Sequence, residues 1–115
     1  MSGKIAIPDE KIINKIYVIR EQKVMLDRDL AELYGVDTKR LKEQVRRNKD
    51  RFPETFMFEL TKQEHSVLRS QFATLKQGQH SKYPPFVFTE HGILMLSSVL
   101  NSETAIKMSV QIIET

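Results

Sequence analysis

The chain contains no cysteine, which excludes disulfide staples, thiolate metal sites and thiol nucleophiles. No stretch approaches the roughly 18 apolar residues of a membrane helix, and the opening MSGKIAIPDEK lacks the unbroken apolar core of a signal peptide. These absences imply a soluble chain in a reducing, cytoplasmic compartment, with no membrane partner. Signatures of catalysis are missing too: no glycine-rich phosphate loop, no nucleophile elbow and no triad pattern. Of the three histidines, His65, His80 and His91, none has another four residues away, so a helical metal pair is not available. Asp27, Asp29 and Glu32 cluster where a helix begins, and acids there ordinarily serve capping and the helix dipole, not a nuclease metal. The expectation is a protein that is not an enzyme and holds neither metal nor cofactor. Repeats, low-complexity tracts and linkers are also lacking.

What remains is 115 residues, 40% of them hydrophobic, enough for one modest core in a single domain spanning 1–115. Basic charge is concentrated. Between Thr38 and Arg51 seven bases stand against two acids, a local balance of +5, whereas the whole chain is +3, so everything else carries −2. The pI near 9.2 agrees with a polyanion partner. Leu30, Ala31 and Leu33 form a short helical stripe, Tyr34-Gly35-Val36 breaks it, and Asp37 or Thr38 can cap a second helix reaching about Lys49. Ala31 allows close approach of the two helices, and Gly35 suits a left-handed turn. The pattern is that of a helix-turn-helix. At about 100° per residue, Leu41 and Val45 make a thin buried seam; Lys39, Glu43 and Arg46 point away from it, flanked by Arg40, Arg47 and Lys42.

Elsewhere, Pro8 to Asn14 reads as a short helical turn. Ile16 to Ile19 and Val24 to Leu26 read as a hairpin around Arg20-Glu21-Gln22-Lys23, the alternative being one amphipathic helix over 9–20. Phe52-Pro53 ends the basic helix. Phe56 to Leu60 alternates as a strand, and Thr61 with Glu64 forms a capping box for a helix carrying Leu68, Phe72 and Leu75. After the loop Gly78 to Pro85, Phe86-Val87-Phe88 is a second strand placed to pair with Phe56 to Leu60, and Thr89 caps the next helix. Ile93 to Leu100 is apolar nearly all round, as a buried central helix would be. Ser102 opens a last helix whose Ala105, Ile106, Met108, Val110, Ile112 and Ile113 give a broad apolar surface. It reaches Thr115 without a C-cap signal, which leads us to expect a longer parent protein and a partner or missing segment on that surface. The fold class expected is α+β: a mainly helical single domain with a helix-turn-helix and a small antiparallel sheet or hairpins.

The segments VMLDRDLAELYGV, VRRN, RFPETFMFELT and YPPFVFTEHGILMLSSVLNS together resemble the amino-terminal domain of the phage antirepressor group, the KilA-N-like family named after the N-terminal region of phage open reading frame six. The resemblance covers about 16–113. It implies a compact α+β domain, DNA binding, and a place at the front of phage or prophage regulators with variable carboxy-terminal parts.

The residues put forward for double-stranded DNA come from the helix itself: Thr38 near its start, with Lys39, Arg40, Lys42, Arg46 and Arg47 for phosphates or base edges. Glu43 either accepts from a cytosine or pairs with Lys39 or Arg47. Arg20 and Lys23 at the hairpin tip, and His80 and Lys82 in a wing-like loop, are secondary candidates. The rival reading is an interaction module of an antirepressor, gripping a regulator protein, or a second copy of itself, through residues 103–115.

Overall fold

A computed structural model of the chain describes residues 8–71 and 84–115. In order these form α1 (Asp9–Ile13), β1 (Ile16–Ile19), β2 (Gln22–Leu26), α2 (Asp27–Tyr34), α3 (Thr38–Arg47), a single 3-10 turn (Lys49–Arg51), β3 (Met57–Glu59), α4 (Lys62–Gln71), β4 (Phe86–Phe88), α5 (Glu90–Leu100) and α6 (Glu103–Glu114). The class is α+β. Ile12 anchors α1 and is fully buried; the long-helix alternative over 9–20 is not what forms, since the chain is already extended at Ile16.

The strands make one antiparallel sheet in the order β1-β2-β4-β3. Met25 lies opposite Phe88, and Phe88 opposite Met57; one residue along, Leu26, Val87 and Phe58 line up in the same way. Because side chains alternate across a sheet, the first row faces one layer and the second row the other. Met25, Phe88 and Met57 join the main core with α2, α3, α5 and α6, where Phe52 meets Phe88 edge-on at 6.0 Å. Val24, Leu26, Val87 and Phe58 form a smaller core with Leu60 and with Leu68 of α4. Burial on both faces is why Val24-Met25-Leu26 is continuously apolar.

The β1–β2 turn is tighter than the four residues expected. Ile19 pairs with Gln22, so only Arg20 and Glu21 turn, both with positive φ (55° and 63°). This is the sign pattern of the hairpin turn whose twist matches the strands, usually made by Asn-Gly. Its backbone cost is offset by Arg20, whose Nε and second guanidinium nitrogen donate to Glu64 at 2.9 and 3.0 Å while the group lies 4.1 Å above the Phe58 ring. Glu64 is the same residue that closes the capping box: Thr61 N–H donates to it at 2.8 Å and Glu64 N–H donates to Thr61 Oγ1 at 3.0 Å. Hairpin tip and α4 are thereby fastened together. Arginine and backbone donors hold the Glu64 carboxyl down to about 2. Phe72 and Leu75, expected on this helix, lie outside the described residues.

Thr89 accepts from Gly92 N–H at 3.4 Å and starts α5, while its own hydroxyl donates to the Thr55 carbonyl at 2.8 Å. Gly92 sits so close to β3 that an added Cβ would overlap the Phe56 carbonyl. The helix is less enclosed than its composition suggests: Ile93, Leu96 and Ser97 are buried, but Leu94 is 46% exposed. Ser102 caps α6 by accepting from Ala105 N–H at 3.1 Å. Ala105, Met108 and Ile112 of α6 are buried in the core, and Ser109 Oγ lies 2.8 Å from Tyr34 Oη. Of the broad apolar surface expected, Ile106 and Val110 are left about half exposed, at 46% and 49%.

Candidate nucleic-acid interface

Two helices and the turn between them build the site. Gly35 ends α2 in the left-handed conformation (φ 74°, ψ 32°). Its N–H reaches the Glu32 carbonyl at 3.2 Å, and Val36 N–H reaches Ala31 at 3.0 Å, the pair of bonds that defines a Schellman ending. Val36 then packs on the main core. Asp37 occupies the cap position of α3 without a side-chain cap bond, and its carbonyl accepts from Leu41 N–H at 3.0 Å. α3 is held by few side chains: Leu41 and Val45 are its fully buried residues. The helix ends at Arg47, two residues earlier than expected, with Asn48 folding back to the Gln44 carbonyl at 2.8 Å before the 3-10 turn.

A third anchor is electrostatic. Asp27, the buried first residue of α2, accepts from its neighbour Arg28 N–H at 2.6 Å and from Phe86 N–H of β4 at 3.0 Å, and its Oδ2 lies 3.4 Å from Lys42 Nζ. The Lys42 ammonium also stands 5.0 Å from the centre of the Phe86 ring. One carboxylate thus ties α2, β4 and α3 into a unit. From sequence, Asp27 has only a helix-start role, because nothing local distinguishes an acid facing water from one facing a backbone donor 59 residues away.

This geometry sorts the candidate residues. Lys39, Arg40, Arg46 and Arg47 are exposed, and Thr38 is half-buried at the helix start. The side chain of Lys42, expected on an open flank, is only 19% exposed and is paired with Asp27. Arg20, exposed at the hairpin tip, is paired with Glu64 and lies over the Phe58 ring. Lys23 is exposed on β2, across from Val18. His80 and Lys82 lie outside the described residues. Among the described residues, ion pairs engage Lys15, Arg20, Lys42 and Lys107, and none engages Lys39, Arg40, Arg46, Arg47, Lys49 or Arg51. Glu43, four residues from both Lys39 and Arg47, forms no ion pair with either. Phe86 touches this edge as well, its ring centre 6.0 Å from the Arg46 guanidinium.

The described residues contain no group of three or more His, Asp or Glu placed to hold a metal ion, and none of their helices is long and apolar enough to cross a membrane. No curated protein and no solved structure matches the chain. The model of one family, the ORF6N domain, matches residues 14–99, from the end of α1 through most of α5. That span contains the whole sheet, the α2–α3 pair and its Asp27 anchor, and by this match the chain belongs to the ORF6N domain family, the phage open-reading-frame-six N-terminal group its sequence resembles.

Proposed function

We propose that α2 and α3 act as a helix-turn-helix and that the chain is the DNA-binding domain of a phage-type transcriptional regulator or antirepressor. The observation that carries this reading is the exposed face of α3. There Lys39, Arg40, Arg46 and Arg47 stand without an acidic partner among the described residues, while the other face is fixed by Leu41, Val45 and the Asp27–Lys42 pair. A helix held rigidly along one edge, with unneutralised cations along the other, suits the major groove of double-stranded DNA. Arginines and lysines on its flanks meet phosphates, and backbone amides beside Thr38 at the helix start add a further anion contact. Affinity then comes largely from released counterions and falls steeply with salt. Lys49 and Arg51 are also exposed, in the 3-10 turn just past α3. On this reading the role is binding, without a catalytic step, in the cytoplasm.

A second reading is supported by Ile106 and Val110, one helical turn apart and about half exposed on α6. There the domain grips a regulator protein or its own copy through that helix. Fluorescence anisotropy with a labelled duplex of mixed sequence separates the two. DNA binding at low salt, lost in a variant with Lys39, Arg40, Arg46 and Arg47 all changed to alanine and retained in Ile106→Ser/Val110→Ser, supports the groove reading; wild type that binds no duplex at low salt refutes it.

A further inference from the structure

Glu43 is the side chain of α3 that a phosphate-binding helix should least tolerate. On an α-helix it falls about 180° from the midpoint of the Leu41–Val45 seam, the crest of the exposed face. By the same geometry Lys39 and Arg46 lie about 120–140° from the seam on one side, and Arg40 and Arg47 lie as far round on the other. The acid is exposed, and neither Lys39 nor Arg47, the cations one turn away, neutralises it with an ion pair. A helix seated in the major groove turns its crest to the groove floor and its two flanks to the phosphate walls. The flanks are therefore cationic where phosphates stand, and the crest is anionic where base edges stand. A carboxylate repels phosphate, but the groove floor carries one donor it can accept from within a G·C pair, the exocyclic amine of cytosine.

We infer that Glu43 is the specificity-determining residue of this face, accepting a hydrogen bond from the N4 amine of a cytosine, so that the domain selects a C·G pair at the position beneath the middle of α3. The inference rests on the proposed DNA-binding role. It also assigns Glu43 a second effect: away from a cytosine its charge meets the acceptors of guanine (O6 and N7), thymine (O4) or adenine, whose N7 lies beside its N6 amine, which weakens binding to other sequences.

The test is selection from a random-sequence duplex library by the 115-residue chain, wild type against Glu43→Gln and Glu43→Ala, with each pool sequenced. Both substitutions sit at an exposed position and leave the core untouched, so circular dichroism spectra should superimpose. The wild-type pool should fix one C·G pair, preferred about tenfold over the other pairs, equivalent to about 1.4 kcal/mol. Glu43→Gln should move that single position toward adenine, whose N6 and N7 a glutamine amide can bridge. Glu43→Ala should relax that position alone and bind mixed-sequence DNA more tightly than wild type. Identical preferences in the three pools, or a wild-type pool with no fixed pair despite salt-sensitive binding, overturns the role of Glu43 and leaves the groove reading standing. Absence of any DNA binding at low salt overturns both.

Discussion

Replacing Asp27 by alanine should destabilise the domain far more than a typical surface change, and the cost can be worked from its contacts. Phe86 N–H, in a partly buried position 3.0 Å from Asp27 Oδ2, loses its acceptor, at about 1–3 kcal/mol. Lys42 loses its counter-charge; its side chain retains 19% exposure and can turn toward water, so the penalty stays below the roughly 3–5 kcal/mol of breaking a wholly buried pair, at about 1 kcal/mol. The α2 dipole loses an acid in its first turn, at about 0.5 kcal/mol. The total is about 2.5–4.5 kcal/mol for Asp27→Ala, and about 1–2 kcal/mol for Asp27→Asn, which keeps an acceptor for Phe86 while removing the charge. Urea unfolding followed by circular dichroism reads this as a lowered midpoint; with a slope of about 2 kcal/mol per molar, Asp27→Ala should shift it by about 1.2–2.2 M. A cycle with Lys42→Met should show that the two substitutions are not additive, with a coupling of about 1 kcal/mol. A midpoint within about 0.3 M of wild type for Asp27→Ala, or equal losses for the alanine and asparagine variants, would refute the anchor as described.

Other outcomes follow from the backbone and from titration. Gly35→Ala should cost about 1–2 kcal/mol, wholly from forcing an L-residue to φ 74°, since no atom lies within 4 Å of the added Cβ; Gly35→Asn should recover part of it in the same urea assay. Gly92→Ala should cost about 3 kcal/mol or more, because the new methyl overlaps the Phe56 carbonyl and α5 must move off β3. For Glu64 the folded-state value of about 2 lies below the ordinary 4.5. Its contribution is therefore fully present above about pH 4.5 and is lost as the pH falls toward 2. The stability difference between wild type and Glu64→Gln should shrink across that window, and a difference that stays constant would contradict the Arg20–Glu64 clamp.

The parts of the fold that are legible in the sequence are those fixed by near neighbours. Thr61 and Glu64, three residues apart, announce a capping box and make both of its bonds. Gly35 after Ala31, the Leu41–Val45 seam and the Thr89 and Ser102 caps are likewise local, and each is found where the spacing puts it. The pairing of β3 with β4 is readable from two short aromatic strands. What a local reading misses is the pairing of β2 with β4, which draws the hairpin and β3 into one sheet, and the long-range polar contacts made possible by it. Lys42 lies about 80° from the seam, at the boundary where a helical wheel cannot separate a flank facing solvent from one facing a buried carboxylate. Arg20 falls at a hairpin tip, and tips are usually solvated, yet a turn made by two residues with positive φ needs a partner to fasten it, and Glu64 supplies one. Leu94 shows the reverse: a helix apolar all round by composition still leaves this side chain about half exposed.

If the unpaired cations of α3, and not the internally paired Lys42, face the phosphates of DNA, the two groups must differ in their effect on salt dependence. The decisive quantity is the slope of log Kd against log salt concentration, measured by fluorescence anisotropy on one duplex for wild type, Arg46→Ala/Arg47→Ala and Lys42→Met. Each phosphate no longer neutralised should lower the slope by about 0.9. The double arginine variant should therefore be shallower by about 2, with Lys42→Met parallel to wild type, its stability loss read separately in urea. A Lys42→Met slope reduced as much as that of the arginine variant, or an arginine variant parallel to wild type, would contradict this assignment of the phosphate-facing side chains.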